Sequence, residues 1–64
     1  MEVGLRIKEL REKKNISQVE LAKKLKTLNQ SQICKIENGQ RALKACELSD
    51  IAEALNVSVI EIID

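Results

Sequence analysis

The sequence predicts a small all-α domain built from five short helices. Three observations carry that reading. Apolar residues recur at i, i+3, i+4 and i+7 spacing, and nowhere do they alternate with polar ones for more than a few positions. One helix-start grammar appears three times, and residues suited to a left-handed stop follow the periodic segments. The chain has 64 residues, 44% of them hydrophobic and none aromatic, which is enough aliphatic side chain for one core and too little chain for a second domain.

The first helix spans about residues 3–14: Val3, Ile7 and Leu10 form its apolar stripe, Leu5 lies off that stripe and is expected in solvent, and Asn15 supplies the stop. Ser17-Gln18-Val19-Glu20 opens a second helix, about 18–26, as a capping box. In that arrangement the Ser17 hydroxyl accepts from the Glu20 N–H while the Glu20 carboxylate accepts from the Ser17 N–H. Ile16 and Leu21 flank the box as a hydrophobic staple. The same order returns in Leu28, Asn29, Gln32 and Ile33 for a third helix, about 30–38, which stops at Gly39. A fourth, about 45–55, follows from Leu48, Ile51, Ala52 and Leu55 and ends near Asn56, with no capping side chain at its start. Val57, Ser58, Glu61 and Ile62 repeat the start signal for a fifth, about 59–63. Only Lys26, Thr27 and Leu28 join the second helix to the third, and Ala22 leaves room for a close neighbour, so these two form a pair of short helices on a tight turn.

Composition removes most chemistry. Without His there is no imidazole base and no Ser-His or Cys-His nucleophile, and two cysteines, Cys34 and Cys46, fall short of four metal ligands. No catalysis, metal or cofactor is expected. The absence of aromatic side chains removes the stacking platforms that hold single strands, so a nucleic-acid partner would be a duplex. So few cysteines beside so much aliphatic side chain do not make a disulfide scaffold, and a reducing cytoplasm is the expected location. The first residues lack the apolar region of a signal peptide, and no apolar run approaches the roughly 20 residues of a membrane span, so no membrane is expected. The net charge of +1 conceals a division: all eleven basic residues lie within residues 1–44 beside five acids, leaving +6, and the last 20 residues hold five acids and no base. A positive face aimed at an anion fits this asymmetry, although solvated helices carry charge as well.

The segments GLRIKELREKK, SQVELAKKL, ICKIENGQR and LSDIAEALNVSVIEII resemble the phage repressor and Cro family of helix-turn-helix domains, the Xre family, over nearly the whole chain. The joint spacing of Gln18, Leu21, Ala22, Ile33, Ile36, Glu37, Gly39, Arg41, Ile51, Ala52 and Leu55 carries the resemblance. Three places depart from the family's usual text. The turn Lys26-Thr27-Leu28 is one residue longer, Leu43 and Lys44 stand where Pro and Ser are frequent, and Cys34 occupies a position that is commonly Ser. The resemblance implies a compact five-helix repressor-like fold and a transcriptional regulator whose third helix enters the major groove of double-stranded DNA.

Helix geometry adds its own reading of that third helix: at about 100° per residue, Gln30, Ser31, Cys34, Lys35 and Asn38 share an open arc of roughly 140°, with Ile33 and Ile36 on the other side. The resemblance implies base contacts from Gln30, Ser31 and Lys35, with Cys34 near the DNA. It implies backbone contacts from Gln18, Asn38 and Arg41, with Lys44 a weaker phosphate candidate. It also implies Arg11 and Glu37 as an internal salt bridge tying the first helix to the third. The competing reading makes Gln30 and Ser31 ordinary polar surface residues and Arg41 a solvated charge, while Lys23, Lys24 and Lys26 read as general solvated positives more than as specific contacts.

Val59, Ile60, Ile62 and Ile63 offer more apolar surface than one short helix buries on one side. Part is expected to complete the core, and Val59, Ile62 and Ile63 are the expected contact between two copies, a homodimer on an inverted repeat with half-site centres about 34 Å apart. A reading from another class is a helix-turn-helix domain that serves as a protein–protein interaction module through its acidic fourth and fifth helices. Salt-dependent affinity for duplex DNA separates the two.

Overall fold

The computed structural model describes residues 3–63. Five helices follow one another, α1 (Val3–Lys13), α2 (Gln18–Lys24), α3 (Gln30–Glu37), α4 (Ala45–Leu55) and α5 (Val59–Ile63), and there is no strand among the described residues. None is longer than 11 residues, a length at which an isolated helix is marginal in water, so each depends on its neighbours. α1 packs on α3 and α5, α2 on α3 and α4, and α4 on α5. Every helix sends at least one large side chain wholly into the shared core: Ile7, Leu21, Ile33, Ile51 with Leu55, and Ile62. Burial of each such side chain stabilises the fold by about 1.5–3 kcal/mol.

The helix ends follow the local chemistry. Ser17 Oγ accepts from the Glu20 N–H at 3.0 Å and the Glu20 carboxylate accepts from the Ser17 N–H at 2.9 Å. Asn29 and Gln32 make the same exchange at 2.8 and 2.9 Å, as do Ser58 and Glu61 at 3.3 and 2.8 Å. At α4 the Lys44 side chain caps nothing, and the Glu47 carboxylate alone accepts from the Lys44 N–H at 3.0 Å. Asn15, Gly39 and Asn56 take positive φ of 58°, 76° and 58°. Past each of them the chain folds back, Ile16 N–H onto Arg11 O, Gln40 N–H onto Lys35 O and Val57 N–H onto Ala52 O, at 3.0, 2.8 and 2.9 Å. These bonds satisfy carbonyls that a helix end otherwise leaves open.

Two features differ from the expected elements. α2 ends at Lys24, two residues before the expected boundary, because Leu25 is extended with φ −99° and ψ 126°. The connection to α3 is therefore residues 25–29, and both of its leucines, Leu25 and Leu28, enter the core. The second difference concerns the expected contact between copies. Ile62 is wholly buried within the single chain and completes the core from α5, so it is not available to a partner. Val59 packs partly against the same core. Ile60, 66% exposed, and Ile63, 48% exposed, are the outward apolar residues of this helix.

One glycine sets the distance between α1 and α3. A Cβ on Gly4 would stand 1.9 Å from the Ile36 carbonyl oxygen and 2.9 Å from its carbon. Only the missing side chain lets the two backbones come this close. Among the described residues no helix is long and apolar enough to cross a membrane.

Candidate nucleic-acid interface

α3 is positioned from both ends, by the Asn29–Gln32 box at its start and the Gly39 turn at its close. Its inner side carries Ile33, Ile36 and Glu37 into the interior. Gln30, Ser31, Lys35 and Asn38 are exposed on its outer side, and Cys34 among them is half-buried. Helical periodicity alone separates the two sides in this way.

Gln18, Gln30, Ser31, Cys34, Lys35 and Gln40 line one open groove, which joins the first residue of α2, the outer face of α3 and the segment after it. Gln40 has no helical periodicity to announce it; the turn at Gly39 brings it here. Asn38 is turned along the helix, its amide donating to the Cys34 sulfur at 3.5 Å. Lys44 is exposed one segment further on, just before α4.

Behind the groove is a buried polar node. Arg11 Nε donates to Glu37 Oε2 at 2.8 Å and Arg11 Nη2 to Glu37 Oε1 at 3.2 Å, while Arg11 Nη1 donates to the Ile16 carbonyl at 2.7 Å. Gln18 Nε2 donates to the same Glu37 Oε1 at 2.9 Å. The Arg11–Glu37 pair expected from the sequence is thus present, and Gln18 is its third member, so one carboxylate ties α1, α2 and α3 together. The Glu37 hydrogen bonds hold the Arg11 guanidinium protonated more firmly than usual, against the opposing effect of burial. Because Gln18 spends one Nε2 proton on Glu37, the other proton and the amide oxygen remain to face the groove.

Arg41, half-buried, is turned onto Glu47. Its Nη1 donates to Glu47 Oε1 at 3.0 Å and its Nη2 to Glu47 Oε2 at 2.9 Å. Glu47 is buried in the first turn of α4. The Arg41 hydrogen bonds first, and then the Lys44 N–H, pull its carboxyl from the ordinary 4.5 down to about 2. Sequence spacing does not reveal this pair, since Arg41 lies outside any helix. All three arginines are engaged, Arg6 through Nε with the Glu61 carbonyl at 2.9 Å, Arg11 with Glu37 and Arg41 with Glu47. Lys24 and Lys26 share a separate groove with Asp50 and Glu53.

A family model described as helix-turn-helix matches residues 7–62. No curated protein and no solved structure matches the chain.

Proposed function

Because the chain belongs to the helix-turn-helix family of phage repressor and Cro-like (Xre) regulators, we propose that it is a sequence-specific duplex-DNA-binding transcriptional regulator with α3 in the major groove. The observation that carries this reading is the groove in which Gln18, at the start of α2, meets Gln30, Ser31 and Lys35 on the outer face of α3. Gln30 has the amide geometry to pair with adenine N6 and N7, Lys35 the reach to guanine O6 or N7, and Ser31 a hydroxyl for either base type. Gln18, Asn38 and Lys44 face the sugar-phosphate backbone on either side, and Cys34 lies between the base-reading side chains. Arg41 brings its uncompensated charge to a phosphate only by leaving Glu47.

One such domain reads a few base pairs, so two copies are expected on an inverted repeat, roughly 34 Å between half-site centres. Ile63 and the adjoining part of Val59 supply the contact, with Ile60 beside them.

Titrating a selected duplex and a random duplex across a salt series tests the proposal. Log affinity falls linearly with log salt on both, with a slope set by the phosphates contacted, and the selected duplex binds more tightly throughout. A flat response with no selectable sequence refutes it and favours a protein partner.

A further inference from the structure

We propose that Glu47 is a restraint on DNA binding, a positioning residue that holds the Arg41 guanidinium away from the phosphates and so keeps the domain's affinity for every sequence below what its charges would give. The proposal rests on the duplex-DNA reading above and adds a residue of α4 that does not itself reach the groove.

The pair is end-on and complete: both guanidinium tips meet both carboxylate oxygens, at 3.0 and 2.9 Å. Glu47 has little freedom to follow Arg41 outward. Its Oε1 also accepts from the Lys44 N–H at 3.0 Å, its side chain is 9% exposed, and it stands in the first turn of α4, where the helix dipole favours a negative charge. Its carboxyl, drawn down to about 2, stays ionised at any pH at which DNA is bound. Arg41 is the more exposed partner, at 26%, and belongs to the segment that leaves α3.

To a polyanion this arrangement is neutral. A phosphate drawn to the Arg41 charge is repelled by the carboxylate directly behind it, and a neutral pair releases no counterion. The end-on pair leaves the Arg41 Nε–H free, but the guanidinium offers a phosphate its uncompensated charge only by opening the pair, which leaves the buried carboxylate with one backbone donor in place of three. Opening a buried pair from one side is costly. The other two arginines are committed to Glu37 and to the Glu61 carbonyl, whereas Arg41, apart from a long 3.5 Å bond from Nη1 to the Ala42 carbonyl, is held by the Glu47 carboxylate.

The experiment is a salt titration with a random-sequence duplex, on which binding is electrostatic. Wild type is compared with Glu47→Gln, with Arg41→Lys, and with the double variant Arg41→Gln/Glu47→Gln. Glu47→Gln keeps an oxygen for the Lys44 N–H and frees Arg41. Affinity rises by about two- to fivefold at low salt, the size of one exposed charge contact, and the log–log slope steepens by about 0.9, one more phosphate. The double variant returns to the wild-type slope, since Arg41 is silent while paired. Arg41→Lys leaves Glu47 and its cap in place but cannot hold both oxygens at once, so it steepens the slope in the same direction by less. This variant decides the matter if Glu47→Gln does not fold. If neither variant steepens the slope, or if the double variant is flatter than wild type, Glu47 is no restraint and Arg41 already contacts phosphate. If wild type itself shows no salt-dependent binding, the DNA reading fails and the restraint falls with it.

Discussion

Gln30 and Gln18 are the same side chain in two environments, and they are expected to fail differently. Gln30 is exposed at the first position of α3, whereas Gln18 is half-buried and fastened to Glu37 at 2.9 Å. Replacing Gln30 with Ala costs about 1–3 kcal/mol on the preferred duplex and relaxes preference at one base position, while Gln18→Ala weakens all duplexes alike. Binding measured on a panel of single-base variants separates the two, and equal loss of discrimination from both substitutions contradicts the assignment. Glu47 leads to an expectation about acid. Its folded value of about 2 lies below the ordinary 4.5, so the stability it contributes is whole above about pH 4.5 and drains away as pH falls toward 2. The denaturation midpoint of Glu47→Gln is expected to depend less steeply on pH across that window than that of wild type. At this scale the outer face of α3 was legible because helical angles sort side chains without knowledge of the neighbours. Arg41–Glu47, Gln18–Glu37 and Gln40 were not, because each depends on how a loop or a second helix comes to rest.

Among the elements, the starts and stops were the most legible parts. Ser17, Asn29 and Ser58 each act within four residues of sequence, as do Asn15, Gly39 and Asn56, so nothing distant has to be known. The end of α2 was less so: Leu21, Leu25 and Leu28 keep helical spacing, yet the core takes Leu25 from an extended backbone. The α1–α3 approach at Gly4 is invisible in sequence and carries its own prediction. Gly4→Ala gains up to about 1 kcal/mol of helix propensity, but the new methyl meets the Ile36 carbonyl at 1.9 Å. Relieving that clash moves backbone, and the net expectation is a loss of roughly 1–3 kcal/mol, read from urea unfolding; an unchanged or raised midpoint contradicts it. In α5, Ile63→Asp is expected to leave the monomer folded while abolishing cooperative binding to an inverted repeat, whereas Ile62→Asp unfolds the chain. Circular dichroism and footprinting together check this pair, and undiminished cooperativity with Ile63→Asp rules out α5 as the contact.

For the molecule as a whole, the all-α architecture was legible and the distribution of charge was not. The excess of bases before residue 45 and of acids after it is not kept wholly apart in space, since Lys24 and Lys26 share a groove with Asp50 and Glu53 and Arg41 lies on Glu47. At these two places folding brings together what the chain keeps apart. The Glu37 node has a further consequence, and it belongs to time more than to space. With α1, α2 and α3 fastened to one buried carboxylate, and with helices too short to persist alone, α3 is expected to have no opening motion of its own. The amide protons of Ile33, Ile36 and Glu37 should therefore trade with deuterium from solvent only when the entire chain unfolds, all with the same free energy as global unfolding. Native-state exchange at rising denaturant would show their isotherms already merged at zero denaturant, and a separate, shallower isotherm for α3 would contradict it. On the expected outcome α3 would meet a duplex already ordered, and little conformational entropy would be lost on association.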